Sequence, residues 1–287
     1  MKNLKYIAIA LITIMTCISC SKDDADDNTE VEENPMEDFS LLKEFDYDEH
    51  TLEVYSENNT QFEIGYTPLY MRIKDKVSEK YVENADLSLK PMMHMENMMH
   101  SSPVSPVVAT DNPTVYTGYV VFQMPGNATE YWDITFNYSL NGTEFSKTER
   151  IDVVAPADGL KRVNTFMGTD ETRYVLAYVG PVAPQVALND MTAVLHKMET
   201  MMEFPVVEGY TVEIDPRMPG MGNHSSPNNV DLSYNGQTQM YAGKLSLSMT
   251  GYWKINMKLV DDEGAVLKGE DVTDENPESS LYFEIEF

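Results

Sequence analysis

Two segments of the chain carry methionine and histidine at a density that metal chemistry could use. They span residues 91–100 and 216–224, and each runs into the tetrapeptide His-Ser-Ser-Pro. Thioether sulfur is a soft donor that binds Cu(I) and barely binds hard cations, and imidazole can complete such a ligand shell. In an oxidising compartment methionine is a safer soft ligand than cysteine, because thiols are lost to oxidation. The two segments therefore predict copper(I) sites.

The candidate ligands are the sulfur and imidazole groups of these segments. They are Met93, His94, Met95, Met98 and His100 in the first segment, and Met218, Met221 and His224 in the second. Met218, Met221 and His224 are three residues apart in a stretch rich in glycine and proline, which can bend three side chains toward one point. The surrounding Pro, Gly, Asn and Ser residues predict exposed loops.

Packing is the competing interpretation, since methionine also fills irregular gaps in cores and forms adaptable surfaces for protein partners. Met124, Met249 and Met257 lie within strand patterns and are predicted to pack in a core. Residues 198, 201 and 202, also methionines, fit either interpretation. His196 is predicted to be structural and His50 to lie on the surface.

The two segments belong to an internal duplication. Pro91 and Pro216 are 125 positions apart (216 − 91 = 125), and Tyr116 and Tyr241 keep the same offset. The offset of the final histidines is one residue smaller, so the length changes fall in loops. Duplications that preserve a fold leave gaps there, because connections tolerate changes in length and cores do not.

The elements that must position these residues are predicted to be β-strands. Alternating or β-branched patterns occur at residues 61–64, 85–89, 120–124, 132–138, 151–154, 210–214, 244–249, 253–259 and 282–287. Short strands at this spacing, without a helical period, predict an all-β chain of two tandem immunoglobulin-like β-sandwich domains. The predicted domains are residues 39–156 and 164–287, joined by a linker at 157–163. Trp132 and Trp253, one in each repeat, are predicted to be core residues.

The N-terminus predicts export. Lys2 and Lys5 precede an apolar run and then Cys20, which resembles a bacterial lipoprotein signal with residues 1–19 removed and Cys20 diacylated. An ordinary secretion signal is the alternative. The acidic residues 20–38 predict a flexible tether, and their Lys-Asp-Asp start resembles a surface-export signal. The chain is therefore expected in the cell envelope as an outer-membrane lipoprotein, facing either the periplasm or the cell surface.

Charge and motifs argue against several classes of function. The formal charge is −27, and loss of Lys2 and Lys5 would make it 18 − 47 = −29, which disfavours nucleic acid as a partner. The sequence has no nucleophile elbow, phosphate loop or zinc signature, so we expect a protein without enzymatic activity.

The second repeat resembles the YtkA-like and FixH-like domain family. The resemblance covers about residues 185–265, and more loosely 61–145. It rests on the Met-Pro-x-Met-x-x-His loop at 218–224, the Tyr-x-Gly turn at 241–243 and the Met-x-Gly-x-Trp strand at 249–253. It implies an extracytoplasmic immunoglobulin-like fold, a link to copper handling, and copper-handling or oxidase-assembly proteins as partners. The first repeat departs from the pattern at residues 92–95, where Met-Met-His-Met replaces Met-Pro-Gly-Met.

Three hypotheses about function follow from the sequence. The first is a lipoprotein that binds copper(I) for buffering, delivery or resistance. The second is a surface module that docks a protein partner through its methionine loops. The third is a lipoprotein that binds a nutrient or glycan, for which exposed aromatic platforms are expected.

Overall fold

The computed structural model describes residues 34–287, and the regular secondary structure of this part of the chain is β-strand apart from one short 3₁₀ turn. The predicted signal peptide, the lipidation site Cys20 and most of the acidic tether lie outside the described residues. Within residues 34–287 no helix has the length and apolar character needed to cross a bilayer. A short 3₁₀ turn at Pro219–Met221 interrupts the strands of the second repeat.

The first repeat is a sandwich of two antiparallel sheets. Its strands are β1 (Ser40–Asp46), β2 (His50–Ser56), β3 (Phe62–Glu63), β4 (Gly65–Asp75), β5 (Asp86–His94), β6 (Met99–His100), β7 (Val108–Ala109), β8 (Tyr116–Phe122), β9 (Tyr131–Leu140), β10 (Thr143–Ile151) and β11 (Val153–Val154). One sheet has the order β1-β2-β4-β8-β7, and the other has the order β10-β9-β5-β6. A short parallel pair, β3 with β11, lies beside them.

The second repeat has the same strand order. Its strands are β12 (Val163–Met167), β13 (Arg173–Gly180), β14 (Leu188–Lys197), β15 (Thr211–Met218), β16 (His224–Ser225), β17 (Val230–Asn235), β18 (Met240–Ser246), β19 (Tyr252–Val260), β20 (Val266–Lys268) and β21 (Leu281–Glu286). One layer runs β12-β13-β14-β18-β17 and the other β16-β15-β19-β21, with β20 also paired to β19. Pairing of β17 with β15 joins the two layers into one ten-stranded sheet.

The strand order identifies the fold class. In the first repeat β2-β4-β8-β7 faces β10-β9-β5-β6, and in the second β13-β14-β18-β17 faces β21-β19-β15-β16. These are the A-B-E-D and G-F-C-C′ sheets of an immunoglobulin-like sandwich. The predicted all-β, immunoglobulin-like fold is confirmed.

Each repeat packs its core around its tryptophan, as predicted. Trp132 and Trp253 are both fully buried. Indole Nε1 of Trp132 donates to the carbonyl of Met124 at 2.9 Å, and that of Trp253 donates to the carbonyl of Met249 at 3.0 Å. Buried tryptophans need such an acceptor for their single N–H. Because 249 − 124 is again 125, the duplication extends to individual hydrogen bonds.

A third apolar cluster lies between the two repeats. It contains Tyr119 and Val121 of β8, Val175 and Ala177 of β13, and Val194 and Phe204. The alternate residues of β8 and β13 point into the separate cores of their own repeats. Both faces of each of these strands are therefore covered, and the two sandwiches pack against each other through them.

Two histidines outside the methionine segments are buried. His50 is 4% exposed, and its Nδ1 lies 3.0 Å from the hydroxyl of Tyr138, so its predicted surface position is wrong. His50 is the first residue of β2 and has the same inward orientation as Leu52 and Val54, which are also buried. His196 has no exposed surface, which confirms its predicted structural role.

Candidate functional site

The first methionine segment is a β-hairpin rather than an irregular loop. β5 continues to His94, and β6 returns with Met93 opposite His100 and His94 opposite Met99. The amide of Met95 donates to the carbonyl of Met98 at 2.9 Å and closes the turn. The ladder is therefore regular through the segment, and successive side chains must point to opposite faces.

Strand pleating divides the candidate ligands into two groups. Met93, Met95, Met98 and His100 share one face of the hairpin, because cross-strand partners lie on the same side. Met93 is fully buried and Met95 packs against the core, whereas Met98 is 44% exposed. The exposure of the side chains on this face thus increases from Met93, which is buried, to Met98 at the end of the hairpin.

His100 has a defined tautomer. Its Nδ1 lies 2.7 Å from the carbonyl oxygen of Ser101, which can only accept, so Nδ1 carries the hydrogen. The lone pair of the neutral ring is then on Nε2, which is the usual state of a metal-binding histidine. The ring meets Trp132 edge-on with centroids 5.6 Å apart. The hydroxyl of Ser101 donates to the carbonyl of Pro91 at 2.9 Å and fixes this end of the hairpin.

His94 points away from this group, which corrects the predicted ligand set. It lies on the opposite face, where its Nε2 is 2.6 Å from a carboxylate oxygen of Asp133. Its ring stacks on Tyr131 with centroids 4.7 Å apart. The carboxylate and the ring stack already engage His94, so the structure removes it from a shared site with His100.

The second segment forms a looser hairpin. Met218 pairs in register with His224, and between them lies the 3₁₀ turn ended by Gly222 in the left-handed region. Met218 is 6% exposed and belongs to the core, whereas Met221 is 59% exposed on the turn. His224 is exposed, and its Nε2 lies 3.3 Å from the hydroxyl of Ser248.

The two hairpins share one arrangement. In each, a buried methionine stands opposite the histidine: Met93 with His100, and Met218 with His224. The expectation that all loop methionines are exposed is therefore wrong for Met93 and Met218. Pro91 and Pro216 were expected in the loops, but they lie inside β5 and β15. A strand tolerates proline where its outer side is unpaired, and here the partner strands β6 and β16 are only two residues long.

The donor set of the first hairpin is chemically soft. Its shared face offers thioether sulfur from Met95 and Met98, with Met93 beneath, and one imidazole nitrogen. Within residues 34–287 no three His, Cys, Asp or Glu side chains converge as a metal site. A low-coordinate Cu(I) ion needs two to four soft donors, and the shared face could supply them.

The sequence did not predict that the second repeat contacts the end of the first methionine hairpin. The amide of Ser101, next to His100, donates to the carbonyl of Met201 in the second repeat at 2.7 Å. Met201 and Met202 form an exposed turn. The signal in the sequence was a pair of methionines beside Thr200, where a turn would ordinarily be polar, but nothing in the sequence placed that turn against the first repeat.

Comparisons with known proteins find only remote similarity to solved structures. No family model matches the chain, and no curated protein matches it. Among solved structures, the Escherichia coli adhesin FdeC is similar at 12% identity and a TM-score of 0.25, over 86% of this chain and 65% of that one. A DUF4785 family protein of Legionella pneumophila gives 10% identity and a TM-score of 0.26, over 77% and 55% of the two chains. The titin tandem A164-A165 gives 10% identity and a TM-score of 0.17, over 72% and 88%. The chain thus spans less than two thirds of the first two structures.

Proposed function

We propose that this chain is an extracytoplasmic lipoprotein, anchored to a membrane through Cys20, that binds copper(I) for buffering, delivery or resistance. The proposal includes membership of the YtkA-like and FixH-like domains that the sequence resembles. Catalysis forms no part of it. The observation that carries the proposal is the shared face of the first hairpin, where Met95, Met98 and His100 lie above Met93.

The geometry favours a soft monovalent ion over a harder one. The ligands on this face are uncharged, so they suit Cu(I) and give a divalent oxygen-seeking cation no anionic partner. In the neutral ring of His100, the Nδ1–H bond to the carbonyl of Ser101 leaves the lone pair on Nε2. The negative charge of the whole chain adds a general attraction for cations.

The test is a Cu(I) titration of the purified mature protein under anaerobic conditions, in competition with a chelator of moderate affinity. We expect uptake of about one or two Cu(I) ions per chain, set by the two Met/His hairpins. Replacing Met98 by Leu and His100 by Asn should remove the ion bound to the first hairpin. Failure of the wild-type protein to compete with the chelator would exclude the proposal.

The hairpin supplies its own matched control. Met99 is adjacent to Met98 and is 49% exposed, but pleating places it on the opposite face. Met99→Leu should therefore leave Cu(I) uptake unchanged, while Met98→Leu weakens it. Equal effects of the two substitutions would show that sulfur content, rather than the shared face, determines binding.

A further inference from the structure

The second repeat contributes a turn beside the methionine hairpin of the first. The amide of Ser101 donates to the carbonyl of Met201 at 2.7 Å, and Ser101 directly follows His100. Cross-repeat backbone hydrogen bonds fix relative position more tightly than side-chain contacts do, because the backbone has few soft dihedrals. The backbone of Met201 is thereby bonded to the residue that directly follows His100, the candidate imidazole ligand.

The turn that carries Met201 and Met202 is itself anchored. The amide of Glu199 donates to the carbonyl of Glu203 at 3.1 Å, and the amide of Met202 donates to the hydroxyl of Thr200 at 3.1 Å. Below the turn, Nδ1 of His196 lies 2.7 Å from the carbonyl of Phe204, in the cluster between the repeats. These hydrogen bonds fix the backbone of the turn, and therefore the positions from which Met201 and Met202 extend.

Exposure of these methionines calls for an explanation. Met201 is 42% exposed and Met202 is 41% exposed, although the chain reaches Phe204 of the apolar cluster between the repeats only two residues later. On the other side of the Ser101 bond, Met98 is 44% exposed. Exposed thioethers therefore occur in both of the segments that this backbone hydrogen bond connects, and exposed apolar groups that gather at one place commonly mark binding sites.

We propose that the turn at residues 199–203 belongs to the first copper site, so that one Cu(I) ion is bound jointly by both repeats. This inference rests on the proposed function. In it, Nε2 of His100 and the sulfur of Met98 supply ligands from the first repeat, and Met201 or Met202 supplies sulfur from the second. Cu(I) accepts such a set of two to four soft donors. The first site then binds more tightly than the second, and metal occupancy ties the repeats together.

The test follows the methionine methyl groups directly. Full-length mature protein labelled with ¹³C at the methionine methyl carbons is titrated with Cu(I), and each signal is assigned by a single Met→Leu substitution. We expect the Met98 signal and at least one of the Met201 and Met202 signals to shift together with the first equivalent. The double variant Met201→Leu, Met202→Leu should weaken binding of that equivalent about tenfold or more, the scale expected when one ligand is lost.

Met167→Leu is the matched control, because Met167 is 51% exposed on β12 and belongs to neither hairpin. It should change neither affinity nor the other signals. If the Met98 signal shifts while those of Met201 and Met202 stay fixed and the double variant keeps wild-type affinity, the inference is overturned and the proposed function stands. If no methionine signal shifts and the protein does not compete with the chelator, both are overturned.

Discussion

His196 is a fully buried imidazole that connects the two repeats. Its Nδ1 donates to the carbonyl of Phe204 at 2.7 Å, and its Nε2 accepts from the hydroxyl of Tyr119 in the first repeat at 3.0 Å. In the neutral ring with its hydrogen on Nδ1, Nε2 has the lone pair that accepts from the Tyr119 hydroxyl. Burial lowers the pKa of His196 from 6.5 to about 4, since desolvation disfavours the charged form.

This shift predicts a loss of stability in mild acid. The pKa of His196 is depressed in the folded state, so the unfolded chain binds more protons and the free energy of unfolding rises with pH. The contribution is complete above pH 6.5 and is lost progressively as the pH falls toward 4. Its size is up to about 3 kcal/mol. Urea denaturation at pH 7.5 and at pH 4.5 measures the change.

Many carboxylates titrate in the same chain, so the contribution of His196 must be isolated by a difference. His196→Gln keeps one donor and one acceptor but does not titrate. The change in unfolding free energy between pH 7.5 and pH 4.5 should be smaller in this variant than in the wild type. Equal changes in the two proteins would contradict the assigned role of His196.

Individual positions could be predicted where one chemical requirement dominated. Trp132 and Trp253 fell in the inward phase of a strand, and the structure buries both. His50 was misjudged because its acidic neighbours in the sequence favoured exposure, whereas its partners are Asp75, directly opposite on β4, and Tyr138 of the facing sheet. The partner of a buried polar side chain is set by tertiary contacts, which a single sequence does not display.

Strands β8 and β13 show why several elements were missed or only partly recognised. Residues 119–122 and 174–178 are continuous runs of buried residues, because one face of each strand meets its own core and the other meets the neighbouring repeat. A strand covered on both sides loses the alternation by which strands are recognised. β8 was predicted from its β-branched residues, but β13 was not predicted.

The hairpins illustrate the reverse difficulty. Proline, glycine and asparagine in the methionine segments signalled irregular loops, yet β5 and β15 run through Pro91 and Pro216. The residues of the candidate site were identified from composition and duplication. Which of them share a face depends on the register of the hairpin, and composition does not determine that Met93 pairs with His100.

Close approach of two strands in the second repeat gives a prediction about a repeated glycine. A Cβ added at Gly243 of β18 would lie 2.4 Å from the carbonyl oxygen of Val230 and 2.8 Å from that of Asp231, both backbone atoms of β17. Gly243→Ala must therefore move a strand. We expect a loss of about 2 kcal/mol or more in the free energy of unfolding, measured by chemical denaturation.

Gly118 is the matched control, since it is the counterpart of Gly243 in the first repeat (243 − 118 = 125). A Cβ there would meet only side-chain atoms within 3.4 Å, the hydroxyl of Ser105 at 3.1 Å and a methyl of Val107 at 3.3 Å. Side chains can rotate away, so Gly118→Ala should cost less, about 1 kcal/mol or below. A larger loss at Gly118 than at Gly243 would contradict the argument.

At the scale of the whole molecule, the apolar cluster between the repeats determines how the chain unfolds. Tandem sandwiches joined only by a linker unfold independently, whereas a buried interface couples them. Here Val175, Val194 and Val121 have almost no exposed surface, and the Tyr119–His196 hydrogen bond crosses the same interface. We therefore expect residues 34–287 to unfold in a single calorimetric transition.

A charge placed in this cluster should separate the repeats before it unfolds them. Val175→Asp puts a carboxylate between the two sandwiches, where it has no solvent and where burial of an unpaired charge is costly. Moving the repeats apart hydrates the carboxylate and leaves both cores intact, because Val175 points away from the core of its own repeat. Calorimetry should then resolve two transitions in place of one.

Val266→Asp is the control: Val266 is 44% exposed on β20, so the same charge there stays hydrated and the single transition should remain. A single transition at the wild-type midpoint in Val175→Asp would show that the interface does not couple the repeats.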